Sequence, residues 1–170
     1  MDALSQVSLE AIEKVTKAVA DTSSLIFAQK AGFVLPMTKT LKLITPPGVA
    51  DELQGSLTPE EGFANVDTME SSRDIYGVYT VDAQVVVAAL QNKAPVISDD
   101  FKLLERASEQ RLQVLTVRTI LELMLFRGTI DLDAYLTYKR RLSELIRYAV
   151  PHFVAAEELH WEIRKQVGLA

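Results

Sequence analysis

Residues 94–104 read Ala-Pro-Val-Ile-Ser-Asp-Asp-Phe-Lys-Leu-Leu, and this short stretch decides the fold class. Pro95 to Ser98 has the length and apolar character of a buried strand, and the helical pattern DDFKLLERASEQ follows it at once, opened by Asp99. A strand that passes directly into a helix through a polar corner is the unit of a parallel α/β sheet. The same unit recurs on both sides of it. Lys17 to Ala20 reads as a strand, preceded by a short amphipathic helix built on Val7, Leu9, Ile12 and Val15. Asp21-Thr22-Ser23-Ser24 then offers cap chemistry for a helix through Ala31, closed by Gly32. Leu41 to Ile44 reads as a strand broken by Pro46-Pro47, and proline at a first helical position suits a short helix carrying Asp51 and Glu52. Asp82 opens the apolar helix DAQVVVAALQNK. Leu112 to Val117 is a further strand, with a helix from Arg118 to Arg127 that stops at Gly128. Strand and helix alternating at this length predict a three-layer α/β fold with a parallel, Rossmann-like sheet.

Two regions depart from the pattern. From Gly55 to Gly77 the composition turns polar, with Leu57-Thr58-Pro59-Glu60-Glu61 as the one plausible helix start. From Leu132 onward two helical patterns, LDAYLTYKRRLSELIRYAV and HFVAAEELHWEIRKQV, meet at Pro151. The domain reading is therefore 1–130 for the α/β domain with its N-terminal helix and 131–170 for a helical extension. Leu142, Leu145, Ile146, Phe153, Leu159 and Trp161 of that extension are expected to pack on the domain or across a dimer.

The 170 residues are 48% hydrophobic and 24% charged, enough for one compact domain. A net charge of −5 argues against a protein that coats nucleic acid, though not against a nuclease, since a catalytic acidic cluster itself adds negative charge. There is no cysteine, which excludes disulfides and thiolate metal sites and makes a reducing cytoplasm the simplest setting. Neither a secretory signal nor an apolar run of membrane-spanning length is visible, so no membrane partner is expected.

The chemistry lies in the acids. Asp21, Glu52, Asp82 and the pair Asp99 and Asp100 each sit beside a strongly apolar run, where a carboxylate is ordinarily unwelcome. At a helix start, an aspartate is usually only an N-cap. The double Asp99-Asp100 goes beyond that, because one residue suffices for the cap and a second adds repulsion. If the runs form one parallel sheet, its carboxyl ends gather these groups in one crevice. Carboxylates held close repel one another, and a hard divalent cation makes such a cluster tolerable.

These residues resemble the PIN-domain nucleases from about Ala18 to Ile130. The resemblance rests on Asp21-Thr22-Ser23-Ser24-Leu25-Ile26 after the first strand, the proline-rich turn Thr45-Pro46-Pro47-Gly48 leading to Glu52-Leu53, Asp82-Ala83 heading an apolar helix, and Ser98-Asp99-Asp100 ending a strand. Each is common singly; the likeness comes from all four in order, spaced 31, 30 and 18 residues apart from Asp21 to Glu52 to Asp82 to Asp100. The resemblance implies an endoribonuclease dependent on Mg²⁺ or Mn²⁺, a hydrolase that leaves a 5′-phosphate. Asp21, Asp82 and Asp100 would hold the metal, with Asp99 as an auxiliary ligand. Glu52 would act through water or as a base, with Asp51 as its rival in helix phase. Ser23 would orient Asp21 or the substrate. RNA is the implied substrate, a homodimer and an antitoxin protein of the toxin–antitoxin type the implied partners.

Two other readings compete. One is a catalytically silent module of the same fold whose acids only cap helices and whose tail binds a protein; four acidic positions kept in place argue against it. The other is a phosphoacceptor receiver domain, which needs a lysine late in the sheet that Leu115 to Val117 does not supply. His152 and His160, both in the tail, read as boundary histidines rather than ligands. Lys139-Arg140-Arg141 reads as a solvated helix face before an RNA contact. Arg73, Lys102, Arg106 and Arg111 are candidates for lining the approach to the site, Lys102 and Arg106 from the helix after Asp99.

Overall fold

The computed structural model describes residues 7–54, 65–69, 80–147 and 150–169, with residues 150–152 described by backbone alone. Its centre is a five-stranded, all-parallel sheet in the order β3-β2-β1-β4-β5. The strands are β1 (Lys17–Ala20), β2 (Lys42–Thr45), β3 (Asp67–Thr68), β4 (Val96–Ile97) and β5 (Val114–Leu115). The helices in chain order are α1 (Leu9–Ile12), α2 (Thr22–Ala31), α3 (Val34–Thr40), α4 (Pro47–Leu53), α5 (Val81–Asn92), α6 (Phe101–Glu109), α7 (Val117–Phe126), α8 (Leu132–Leu145) and α9 (Val150–Val167). The α/β fold expected from the sequence is the fold observed.

Strands β1, β4 and β5 are almost wholly buried, as continuous apolar runs covered on both faces must be. Edge strand β3 is different. Both of its residues are exposed, and Asp67 meets Lys42 of β2 at 2.8 Å in an exposed ion pair of small energetic weight. Helix α5 lies on β1 and β4 and touches α4 and α6, whereas α2, α3, α7 and α8 pack on one another. The core joins both groups through Leu25, Met37, Leu43, Val85, Ile97, Leu103 and Ile120.

Several elements differ from the sequence expectation, each for a local reason. Thr80, not Asp82, caps α5: its hydroxyl accepts from Ala83 N–H at 3.2 Å, which places Asp82 second in the helix. Asp100, not Asp99, caps α6. The tail helices do not meet at Pro151. Helix α8 ends at Leu145, and α9 begins at Val150 with Pro151 in its first turn, where a missing N–H costs nothing. The expected helix start at residues 57–61 and Arg73 lie outside the described residues.

Helix α9 packs on α7 and α1, and α8 on α2 and α7. Tyr135, Leu142, Leu159 and Ile163 of these helices are buried in the core, and Ile146 packs at its edge. Leu145, Phe153 and Trp161 are exposed. The tail thus carries part of the core on one face and an apolar strip on the other. Arg127, just past α7, closes the opposite end of the sheet by donating to the carbonyls of Thr40, Glu13 and Val15. Partial burial lowers its pKa, and three carbonyl partners hold the guanidinium in place.

Candidate active site

The chain leaves β1 toward β2 and β3 on one side, then crosses to β4 and β5 on the other. Between β1 and β4 the connections run in opposite directions, and the crevice at the carboxyl ends of those strands is where open α/β sheets take their ligands. Register sets what lies there. Ala20 pairs with Ile97, so the next residues, Asp21 and Ser98, stand side by side.

Asp21 is buried and fully engaged. Its Oδ1 accepts from Ser24 N–H at 2.8 Å, capping α2, and its Oδ2 accepts from Ser23 Oγ at 3.0 Å and Ser98 Oγ at 2.5 Å. Three donors hold the carboxylate in one orientation. Ser98 is itself wholly buried. It spends its proton on Asp21 and accepts Asp100 N–H at 3.0 Å, so one hydroxyl ties the first acid to the turn that presents the last. Ser23, expected to orient Asp21, does bond it.

Asp100 is exposed, and its Oδ1 accepts from Lys102 N–H at 2.8 Å and Leu103 N–H at 3.2 Å. Asp99 is half-buried, with both carboxylate oxygens shielded from solvent. Of the pair, Asp100 is the one open to the crevice. Glu52, in the last turn of α4, accepts a short hydrogen bond from the hydroxyl of Thr22, the residue after Asp21. Asp51 is exposed on the same helix.

Asp82 connects the set. A carboxylate in the first turn of a helix is ordinarily favoured as an anion by the free N–H groups there. Asp82 instead has its pKa raised, by partial desolvation first and then by the negative charges of Asp100, Asp21 and Glu52, with Arg106 pulling the other way. Because the side chain is exposed, the neighbouring charges are the more telling cause. Three of the acids singled out from the sequence, Asp100, Asp21 and Glu52, thus act on a fourth, Asp82. Two of them, Asp21 and Asp100, also cap helices; Asp82 and Glu52 do not.

Fit to a divalent ion is mixed. The donors are hard oxygens, as Mg²⁺ and Mn²⁺ prefer. Yet among the described residues no three His, Cys, Asp or Glu side chains converge closely enough to hold an ion directly. An ion that keeps part of its water shell needs only one or two carboxylates.

The cations divide. Arg106 acts on Asp82. Lys102 and Arg111 are exposed. Lys139 and Arg141 are occupied elsewhere: Lys139 meets Glu157 at 2.6 Å, and Arg141 donates to the Ala31 carbonyl, at the end of α2 away from Asp21. Arg140 and Arg141 are exposed, so the triplet is a solvated face at two of its three positions, while Lys139 is half-buried against Glu157.

A second polar cluster escaped the sequence reading. Glu122 of α7 is fully buried and bonded by Tyr135 Oη at 2.5 Å, Arg118 Nη2 at 3.0 Å and His160 Nδ1 at 3.0 Å. Arg118 also reaches Glu157 at 2.9 Å, and His160 stacks on Tyr135 with ring centroids 4.8 Å apart. Burial and then the Glu122 charge push the Tyr135 phenol far above its usual pKa. Glu157 is driven the other way. Burial alone would raise it, but the hydrogen bond and charge of Lys139, with Arg118, bring it below the usual carboxylate value. His160 is thus a core histidine that ties α9 to α7, and not the boundary residue the sequence suggested. The signal available in the sequence was the Arg118/Glu122 spacing of four, which reads equally well as a surface pair.

No protein-family model matches the chain, and no curated protein matches it significantly. Among solved structures it is similar to a PilT N-terminus domain protein from the hyperthermophilic archaeon Sulfolobus solfataricus P2. The identity is 11%, the TM-score 0.47, and the overlap covers 68% of this chain and 95% of that one. A likeness this loose says nothing of chemistry. Among the described residues, no helix is long and apolar enough to cross a membrane.

Proposed function

We propose that the chain is a PIN-type endoribonuclease dependent on Mg²⁺ or Mn²⁺. The observation that carries the reading is Asp82: an exposed carboxylate, not needed as a cap, whose pKa is raised by partial desolvation and then by three other acids drawn from three separate helices and turns, against the pull of Arg106. Structural capping explains Asp21 and Asp100 individually; it does not explain four carboxylates sharing one crevice at the switch point of the sheet.

Asp21, Asp82 and Asp100 would hold the ion, partly through water, with Asp99 as an auxiliary charge. When bound, such an ion supplies neutralisation of the carboxylates and of the substrate phosphate, and a more acidic bound water. Ser23 and Ser98 keep Asp21 aimed. Glu52, bonded by Thr22 and open to solvent, would take the proton of the attacking water. Water adds to phosphorus, the bond to the 3′ oxygen breaks, and the products carry a 3′-hydroxyl and a 5′-phosphate. Arg106 is the cation at hand for the substrate's negative charge. A cytoplasmic setting, a homodimer and a toxin paired with an antitoxin belong to the same proposal.

The silent module remains a second reading, favoured by the absence of a direct three-ligand metal cluster among the described residues. End-group analysis of a single-stranded RNA incubated with the protein and Mn²⁺ separates them. The nuclease reading expects 5′-phosphate ends that disappear with EDTA. Intact RNA favours the silent module, and 2′,3′-cyclic ends would point to chemistry that does not use this crevice.

A further inference from the structure

Helix α4 begins without a cap of its own. Pro46 stands at the N-cap with no side-chain bond, and Pro47 has no N–H to satisfy. Gly48 therefore carries the first orphan donor of the helix. That donor is satisfied from another helix: Gly48 N–H donates to Gln84 Oε1 of α5 at 2.9 Å. The approach is close enough that a larger residue at position 48 would push the Gln84 amide aside. A Cβ at position 48 would lie 2.7 Å from Gln84 Oε1, and 3.1 Å from both Gln84 Cδ and Val81 Cγ2. Gln84 is two residues beyond Asp82, and Gly48 is one turn before Glu52, on the same side of α4. At the far end of α4, Thr22 bonds Glu52. The helix that bears Glu52 is thus stitched at one end to the helix bearing Asp82 and at the other to the helix opened by Asp21.

We propose that Gln84 is a positioning residue of the acidic crevice: by capping α4 through Gly48 it fixes the helix that carries Glu52 on the helix that carries Asp82. The consequence for catalysis rests on the nuclease reading, whereas the geometry does not. An amide that accepts an orphan N–H is often a cap and nothing more. Here the cap comes from 36 residues away to a helix of seven residues that carries one of the crevice acids.

A coupling measurement on the metal-free protein at low ionic strength decides it. Like charges that face one another give non-additive gains in melting temperature when neutralised. The pair Glu52→Gln and Asp82→Asn should be non-additive in the native background and additive in Gln84→Met. The pair Asp82→Asn and Asp100→Asn, which does not involve α4, should stay non-additive in both. If Gln84→Met does not fold, Gly48→Ala is expected to give the same pattern. Persistence of the Glu52–Asp82 coupling without the Gln84 amide, its absence in the native background, or loss of both couplings together overturns the proposal. RNA cleavage by the native protein is scored separately. A selective loss of coupling in a chain that cleaves no RNA would uphold the role of Gln84 and sink the nuclease reading.

Discussion

Asp82→Asn is expected to lower divalent-dependent RNA cleavage by about 10²-fold or more, the scale of losing a group that stabilises charge in the reaction. The same change should leave the metal-free protein as stable as before, or more so. The capping hydroxyl belongs to Thr80, so asparagine removes no helix cap. The sign follows from the raised pKa. Between the ordinary value of 3.8 and the higher folded value, the native state binds a proton that the unfolded chain does not. Stability therefore falls as pH rises through that window, and the penalty persists at neutral pH. Asparagine cannot ionise, so its stabilising effect should appear above the window and vanish below pH 3.8. Chemical denaturation at pH 7 and at pH 3.5, with cleavage assayed alongside, checks both halves. An unfolded variant, or one that cleaves normally, contradicts the assignment.

Glu122→Leu should destabilise the chain by about 3–5 kcal/mol, the cost of breaking a buried ion pair from one side. Glu122 has no exposed surface, and its loss leaves the buried Arg118 with Glu157 as its remaining carboxylate partner among the described residues, while one of its terminal nitrogens already has no partner there. The Tyr135 hydroxyl and His160 lose their acceptor together. Urea unfolding measures it. The paired change Arg118→Met with Glu122→Leu should recover much of the loss, since it removes a buried charge left with only one of its two carboxylate partners. A single-variant loss below about 1 kcal/mol would mean that the network is wetter than its burial implies. Glu157 adds an acid limb with the opposite sign to Asp82. Its depressed pKa stabilises the fold above the ordinary carboxylate value, and that contribution is lost as pH falls through the folded value.

The parts of this fold that are legible in the sequence are those set by local chemistry. Lys17–Ala20 and Thr22–Ala31 appear where an apolar run, an aspartate cap and a closing Gly32 with φ of 92° place them. Helix α3 was not anticipated. Its N-cap is Phe33, with no side-chain bond, and Pro36 sits in its first turn, so the start signals are absent and tertiary packing of Val34 and Met37 makes the helix. Strand β3 has two exposed residues and no apolar run, and exists only because β2 offers it an edge. The choice between Asp99 and Asp100 turned on one residue of helix phase, which adjacent like residues do not reveal. The crevice itself was half legible. The apolar runs beside them mark the four acids, but Ser98 beneath Asp21, Thr22 on Glu52 and Gln84 on Gly48 join residues 77, 30 and 36 apart in sequence, and only the folded chain brings them together.

The most direct test of the central claim is titration of Mg²⁺ and Mn²⁺ into the metal-free native protein, following melting temperature and cleavage of a mixed single-stranded RNA in the same samples. The account predicts that both rise together over one range of metal concentration, as an ion bound only by the folded state requires. A melting temperature indifferent to either ion, with the RNA left intact, would contradict it.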